Sequence, residues 1–149
     1  MVKYGMKHVS TSMNSYISYM LAAAHHAVHQ TLATRLKDHG MQVETWRILE
    51  TLDSEQRLTM GELARIVLMN PPTLTKMVDR MVSQGLVHRQ VDASDQRKVN
   101  LLLTDLGRKR MTEIRELVRV QDREILAQLD PQQVEVLNCV LRDLSDTAG

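Results

Sequence analysis

Hydrophobic residues recur three and four positions apart over long stretches at both ends of the chain. One stretch covers residues 12–39 and a shorter one covers residues 43–52. A third begins at the capping residue Thr104, and a fourth begins at Pro131, directly after a capping aspartate. Residues 1–11 show no clear period. The pattern predicts a mainly α-helical protein with long amphipathic helices at its two ends.

Two short helices with strong capping signals are predicted in the middle of the chain. Residues 59–62, Thr-Met-Gly-Glu, form a capping box for the first one. Asn70 is a good N-cap for the second one, Pro71 fits its first turn, and Gly85 ends it. A tight turn at residues 68–69 joins the two helices, and this spacing is typical of a helix-turn-helix.

A β-hairpin is predicted after the second short helix. Residues 86–91 and 98–103 are rich in strand-forming side chains, and the polar residues 92–97 between them read as a turn. Residues 57–59 are expected to add a short third strand beside the hairpin. The predicted fold class is therefore mainly α with a small β wing, a winged helix-turn-helix with additional terminal helices.

The helix that begins at Asn70 has one apolar face and one polar face. If the polar face enters a DNA major groove, its threonines and Lys76 can bond base edges and its prolines can make only apolar contacts. Arg80 is placed for phosphate, and Asp79 is expected to orient a basic neighbour because a free carboxylate there would repel DNA. The candidates on this helix are Asn70, Pro71, Pro72, Thr73, Thr75, Lys76 and Arg80.

The hairpin adds further candidates for DNA contact. Arg97 suits the minor groove, where narrow A·T tracts attract a guanidinium group. Asp95 lies two positions earlier and is expected to hold Arg97 or another cation in place. Arg89 and Lys98 are expected to contact phosphates.

Positive charge is concentrated on the same central segment. Residues 57–110 carry ten Lys and Arg against five Asp and Glu, whereas the net charge of the whole chain is only +1. Residues 1–56 are balanced and residues 111–149 are acidic. The basic segment coincides with the predicted helix-turn-helix, so a polyanion is the expected partner.

Several short motifs occur in one continuous register along the chain. These are Trp46-Arg47, Leu63-Ala64, the run Thr73-Leu74-Thr75-Lys76-Met77-Val78-Asp79-Arg80-Met81, Gly85-Leu86-Val87, Asp95-Gln96-Arg97 and Leu103-Thr104-Asp105-Leu106-Gly107. In this order the chain resembles the MarR family of bacterial transcriptional regulators. The resemblance implies a winged helix that binds double-stranded DNA, roles for Asp95 and Arg97 in the wing, and dimerisation through the terminal helices.

The terminal helices independently favour a homodimer. Residues 1–40 and 104–149 are predicted to form dimerisation helices around a winged helix-turn-helix at residues 41–103. Their apolar faces have no complement in the compact central part, and burial across a two-fold axis is the usual solution. Such a dimer would bind a pseudo-palindromic site with half-sites about one helical turn, ~10 bp, apart.

The resemblance also implies relief of DNA binding by an anionic aromatic compound lodged between the dimer helices and the winged helix. Arg47 or a histidine could pair with a carboxylate while aromatic side chains stack on the ring. Trp46 is also well explained as a core residue. The residues predicted to bind this effector are Tyr16, Tyr19, His25, His26, Trp46 and Arg47.

Other readings are kept as alternatives. A zinc-sensing regulator is one alternative, because His25 and His29 share a helix face at a spacing compatible with zinc; a site needs further ligands, so no metal-binding residue is assigned. Cys139 lies in an apolar run and is expected to be a buried, unreactive thiol in a reducing compartment.

The sequence shows no catalytic set and no cofactor motif, and no hydrophobic run is long enough to span a membrane. A cytoplasmic regulator is therefore expected. A winged-helix protein-interaction module that does not bind DNA is the alternative from a different class, and an enzyme is a remote third.

Overall fold

The computed structural model describes residues 12–54 and 57–147. A single 3-10 turn at Ser12–Ser15 precedes six α-helices and one two-stranded sheet within these residues. The helices are α1 (Ile17–Lys37), α2 (Val43–Ser54), α3 (Met60–Val67), α4 (Pro71–Ser83), α5 (Asp105–Leu126) and α6 (Pro131–Thr147), and the strands are β1 (Val87–Val91) and β2 (Val99–Leu103).

The helix boundaries follow the capping signals of the sequence. The Thr59 hydroxyl accepts from the Glu62 backbone N–H, and the Glu62 carboxylate accepts from the Thr59 N–H, which completes the capping box of α3. The Asn70 side chain accepts from the Thr73 N–H at 2.9 Å and caps α4. Gly85 ends α4 with a φ of 76°, a conformation that glycine adopts without strain.

The sheet is an antiparallel hairpin that confirms the predicted wing. Val87 pairs with Leu103 at its base, and Val91 pairs with Val99 near its tip. The expected third strand is reduced to one isolated bridge between Leu58 and Leu101. Arg57 has a φ of 63° and Thr59 already caps α3, so the chain turns on both sides of Leu58 and cannot continue as a strand.

One hydrophobic core joins helices α1 to α5 and both strands, and α6 contributes no residue to it. Its largest fully buried side chains include Leu36 of α1, Ile48 of α2, Leu74 of α4 and Ile114 of α5. The predicted boundaries after residues 40 and 103 therefore fall inside a continuous core. Gly107 allows the close approach of α5 to the start of the hairpin, because a Cβ atom there would lie 2.1 Å from the Leu86 carbonyl oxygen.

An ion-pair cluster fastens α5 to α2. The Arg115 guanidinium donates to the Glu50 carboxylate at 3.1 Å and to the Asp53 carboxylate at 2.8 Å. These bonds raise the pKa of Arg115, with Asp53 as the larger cause. The charged Arg115 side chain thus links α5 to α2.

The terminal regions differ from the expectations at the start of α1 and at Cys139, and they agree with them in the exposure of α6. Helix α1 begins at Ile17 rather than near Ser12, and residues 1–11 lie outside the described residues. Helix α6 buries none of its residues within the protomer. The expectation of a buried Cys139 was wrong for the protomer, because it lies on a helix that packs no side chain into the core and is exposed.

Candidate nucleic-acid interface

Helix α4 presents its first turn and one long face to solvent. Leu74, Val78 and Met81 point into the core and are almost fully buried. The opposite surface is exposed and carries most of the predicted DNA-contact residues of this helix, namely Pro71, Pro72, Thr73, Thr75, Lys76 and Arg80. Two polar groups of this surface are already hydrogen-bonded within the protein. The Thr73 backbone N–H donates to the Asn70 side chain, and the Thr75 hydroxyl donates to the Pro71 carbonyl at 2.9 Å.

The two cations of this face are available for an outside partner. Within the described residues, neither Lys76 nor Arg80 forms an ion pair or a side-chain hydrogen bond with the protein. The exposed face of α4 includes the N-terminus of the helix, where the helix dipole favours a bound negative charge. Its chemistry suits an anion.

Asp79 lies on the side of α4 that faces the wing and forms an ion pair with Arg89 of β1. Asp79 thus has the basic neighbour that was expected of it, and its charge is offset. Arg89 was predicted to contact phosphate, but its guanidinium is engaged by this carboxylate in the free protein. The pair instead fixes the wing against the helix.

The wing tip carries an almost fully exposed cation, Arg97. The Arg97 side chain is 93% exposed, and its Nε lies 3.3 Å from Asp95 Oδ1. The same oxygen accepts from the Arg97 backbone N–H at 3.0 Å. Asp95 therefore holds Arg97 as the motif predicted, and Lys98 beside it is also exposed.

Asp92, at the base of the same loop, was not singled out by sequence reasoning. Its carboxylate accepts hydrogen bonds from Ser94, Asp95 and Asn100. The Ser94 hydroxyl and then the Asn100 amide hold the pKa of Asp92 far below its usual range. An aspartate followed two positions later by serine in a turn was the available signal for this capping role.

The residues predicted to bind an effector are spread over α1 and α2. Tyr16 precedes the first turn of α1, and Tyr19, His25 and His26 are exposed along it, whereas Trp46 and Arg47 are partly buried on α2. Trp46 packs against the core. None of the six lines any of the three clefts that the described residues form around α2 and α4, along α6, and at the wing.

Among the described residues, three buried side-chain atoms, one each on α1, α2 and α5, lack a hydrogen-bond partner. They are Nδ1 of His29, Nε1 of Trp46 and Oε1 of Gln121. Nε2 of His29 lies 3.8 Å from the Glu44 carboxylate, and Nε2 of Gln121 donates to the Val28 carbonyl at 3.2 Å. Gln121 occupies a core-facing position in the helical series of Met111, Ile114 and Val118, so a polar residue in an apolar register was the signal that could have found it.

A cleft of about 440 Å³ lies between α2, α4 and α5. Arg80, Met77 and Met81 of α4 form one wall, and Arg110 of α5 forms part of another. Arg110 donates to the His39 carbonyl at 2.8 Å and pairs with Glu113 at 3.3 Å. Sequence reasoning missed this cleft because its walls come from three separated segments.

Comparison with known proteins agrees with this geometry. The family model described as "MarR family" matches residues 42–99, from the start of α2 to the start of β2. Within these residues the chain carries a MarR-family domain, and its relatives and structural neighbours are MarR-family transcriptional regulators. Members of the MarR family are DNA-binding transcriptional regulators and not enzymes.

Two curated relatives extend the likeness beyond the family model. The HTH-type transcriptional regulator TtmR of Methylorubrum extorquens is 30% identical over 97 residues, which cover 65% of this chain and 50% of that protein. This chain therefore spans about half the length of that relative. The homoprotocatechuate degradative operon repressor of Escherichia coli is 26% identical over 131 residues, 88% of each chain.

Solved structures share the whole fold. A MarR family transcriptional regulator of Silicibacter pomeroyi is 29% identical and superposes with a TM-score of 0.82 over 93% of this chain and 99% of that one. The repressor CouR, solved bound to a 23-mer DNA duplex, also gives a TM-score of 0.82 at 21% identity, over 97% of this chain and 99% of that one. The latter likeness concerns the fold alone.

Among residues 12–54 and 57–147, no group of three or more His, Cys, Asp or Glu side chains is arranged to hold a metal ion. In the same residues, no helix combines the length and the apolar character needed to cross a bilayer.

Proposed function

We propose that this MarR-family protein is a homodimeric repressor that binds a pseudo-palindromic operator in the cytoplasm and is released by a small aromatic carboxylate. One observation carries the DNA-binding part of the proposal. The capped N-terminus of α4 is exposed together with Lys76 and Arg80, and neither cation is used by a protein partner within the described residues. A positively charged helix face that the fold leaves unpaired is suited to bind a polyanion outside the protein.

The residues of α4 divide into base-reading and positioning contacts. Lys76 can donate to O6 and N7 of guanine, Thr73 and Thr75 can bond bases or touch a thymine methyl, and Pro72 can make only apolar contacts. Asn70 and Pro71 set the entry of the helix into the groove through the cap. Arg80 contacts phosphate from the side of the helix that borders the cleft.

The wing adds contacts outside the major groove. Arg97 enters the minor groove, held by Asp95, and Lys98 contacts a phosphate. Arg89 reaches a phosphate only if it exchanges or shares its pairing with Asp79, and this makes it the weakest of the wing contacts that we propose.

The dimer forms through the terminal helices, residues 1–40 and 104–149. Helix α6 has no buried residue in the protomer, although Val136, Leu137, Val140, Leu141 and Leu144 form an apolar face that is about half exposed. Ile17, Met20 and Leu21 of α1 are exposed as well. A face of this size is normally covered by protein, and a second copy of the chain covers it symmetrically.

The effector lies near the junction of α1, α2 and α5. The unpaired polar atoms of His29, Trp46 and Gln121 can bond a carboxylate or a ring hydroxyl beside Arg47, while Tyr16, Tyr19, His25 and His26 line the approach from α1. The name of the Escherichia coli relative refers to an operon for the breakdown of an aromatic acid, which supports this class of ligand. The ligand acts by binding one arrangement of the two DNA-binding heads better than the other.

Fluorescence anisotropy tests the DNA contacts. The duplex is the intergenic DNA upstream of the protein's own gene, titrated at several salt concentrations. Lys76→Ala and Arg97→Ala are each expected to weaken binding about 10-fold, the scale of one base contact. Arg119→Ala, which removes an exposed cation from α5, is the matched control and is expected to change affinity less than about 2-fold. Unchanged affinity in both test variants would favour a protein-interaction module instead.

The same assay tests the effector. The bound complex is titrated with hydroxybenzoates, other aromatic acids, their CoA thioesters and zinc. Release by an aromatic acid that is weakened in Trp46→Phe, which removes Nε1 but keeps an aromatic ring, supports the proposed site. Release by zinc alone, or by nothing in this set, would overturn the aromatic-acid proposal and leave the DNA contacts untouched.

A further inference from the structure

The side chain of Asp92 organises the loop that joins the two strands of the wing. Its Oδ1 atom accepts from the Ser94 backbone N–H at 2.8 Å, from the Ser94 hydroxyl at 2.6 Å and from the Asp95 backbone N–H at 3.2 Å. Its Oδ2 atom accepts from the Asn100 side-chain amide at 3.0 Å. Both oxygens are therefore used, one toward the loop and one toward the sheet.

Asn100 supplies a fixed point for this network. It lies on β2 and is only 5% exposed, so its amide is one of the few buried polar groups of the protein. A buried amide needs its hydrogen bond, because leaving the group unpaired is costly. The backbone adds two bonds, from Asp92 N to the Lys98 carbonyl at 2.9 Å and from Lys98 N to the Asp95 carbonyl at 3.0 Å.

The network ends at Arg97. Within the described residues, the Arg97 side chain donates to Asp95, and the backbone N–H of Asp95 in turn donates to the Asp92 carboxylate. The direction of the exposed guanidinium thus depends on two carboxylates in series. A long cationic side chain without such support would have to be ordered when DNA binds, at a cost in conformational entropy.

Simple electrostatics argues against a carboxylate at this place. A negative charge on a wing that approaches DNA is repelled by phosphates, and an aspartate carries that charge at neutral pH. Removing the charge should therefore tighten binding to any DNA. A carboxylate that helps binding must act through what it holds.

We propose that Asp92 is a positioning residue for DNA recognition: through Asp95 it holds the Arg97 guanidinium in the orientation in which the wing reaches the minor groove. The inference rests on the proposed minor-groove contact of Arg97. Neither Asp92 nor Asn100 carries a positive charge. The role assigned to them in specific binding is therefore indirect and acts through the orientation of Arg97.

The binding test uses the full chain with Asp92→Ala, Arg97→Ala and the double variant. Each is titrated on the upstream intergenic duplex and on a shuffled duplex of equal length and composition. Asp92→Ala is expected to weaken binding to the first duplex about 5- to 10-fold, the scale of one oriented base-edge contact, and to leave the shuffled duplex unchanged or bound more tightly. In the Arg97→Ala background, Asp92→Ala is expected to cause no further loss.

Two controls separate positioning from charge and from folding. Asp105→Asn removes a fully exposed carboxylate that pairs with Arg108 on the same helix. It therefore reports the effect of losing a negative charge without disturbing the wing. Asp92→Asn keeps one acceptor oxygen for Ser94 and Asp95 and is expected to fall between the wild type and Asp92→Ala. Thermal unfolding by circular dichroism verifies that each variant is folded at the assay temperature.

A measurement without DNA reads the orientation directly. The ¹H–¹⁵N NOE of the Arg97 Nε–H group is expected to fall in Asp92→Ala and to stay unchanged in Asp105→Asn. Three results would overturn the proposal: an unchanged NOE, tighter binding of Asp92→Ala to both duplexes, or losses for Asp92 and Arg97 that multiply in the double variant. An Arg97→Ala variant with wild-type affinity would instead overturn the proposed minor-groove contact, and the role of Asp92 with it.

Discussion

Helices α4 and α6 look alike in sequence and behave differently in the fold. Each begins with proline directly after a capping side chain, Asn70 for α4 and Asp130 for α6, and each has one apolar face. Helix α4 buries Leu74, Val78 and Met81 in its own chain, whereas α6 buries nothing. An amphipathic pattern therefore shows that a face needs a partner, but it does not show whether that partner is the same chain.

The surroundings of the two helices explain the difference. Helix α4 lies between α3, the wing and the start of α5, so its apolar face meets core residues from several elements. Helix α6 follows α5 after the break at residues 127–130 and contributes no residue to that core. The face of α4 is satisfied during the folding of one chain, and the face of α6 is available for assembly.

The largest contrast is expected for truncation of the two apolar faces. Leu74→Ala should lower the free energy of unfolding by about 2–5 kcal/mol, because it leaves a cavity in a closed core. The equivalent Leu144→Ala in α6 should cost less than about 1 kcal/mol at protein concentrations that separate the subunits, because Leu144 is 44% exposed in the protomer. Urea unfolding followed by circular dichroism measures both, and equal losses would contradict the comparison.

Charges placed on the α6 face should break the assembly. Leu137→Asp together with Leu141→Asp is expected to convert a dimer into a monomer and to weaken operator binding about 100-fold or more, because two linked heads bind far more tightly than one. Sedimentation equilibrium measures the mass, and anisotropy measures the affinity.

Cys139→Asp is the control for this double variant. Cys139 is exposed and lies half a helical turn away from Leu137 and Leu141, so the same charge is introduced on the opposite face of α6. It should leave both the mass and the affinity unchanged. A dimer that survives the double substitution would show that α6 is not the interface.

The ion-pair cluster between α2 and α5 should have an intermediate effect. Arg115→Met removes charge-assisted bonds to Glu50 and Asp53 and is expected to lower stability by about 1–2 kcal/mol. Arg123→Met is the matched control, because its partner Glu116 lies on the same helix and both side chains are exposed. It should change stability by less than about 0.5 kcal/mol. Thermal unfolding of both variants provides the measurement.

The smallest contrast is expected at the helix caps. Asn70→Ala and Asp130→Ala should each cost about 1 kcal/mol, because each removes one hydrogen bond to a first-turn N–H. The two losses should be similar, since capping is local and does not depend on where the helix buries its face. Denaturant midpoints measure them, and a loss at only one cap would show that capping is coupled to tertiary burial.

Local chemistry explains what could be predicted from the sequence. The caps at Thr59, Asn70 and Thr104 and the stop at Gly85 depend on hydrogen bonds within a few residues, and all four are present. The helix-turn-helix, the hairpin and the Asp95 to Arg97 contact follow from the same short range. The candidate DNA contacts of α4 could be named for this reason, because the capped helix exposes one face by its own periodicity.

Predictions that needed distant partners were less complete. The third strand fails because Arg57 and Thr59 turn the chain on both sides of Leu58. Cys139 was expected to be buried because its neighbours are apolar, yet burial depends on what α6 packs against. The pairing of Arg89 with Asp79 and the anchoring of Asp92 by Asn100 join residues from different elements, and no spacing rule connects them.

The sequence by itself determined where the capped helices begin, which faces are apolar, and that positive charge collects on the winged helix. These properties depend on backbone geometry and on neighbours three or four positions away. Only the tertiary structure decided which apolar faces close within the chain, which buried polar atoms lack a partner, and which cations stay free. Burial and pairing are properties of the space between elements, and that space exists only after the chain has packed.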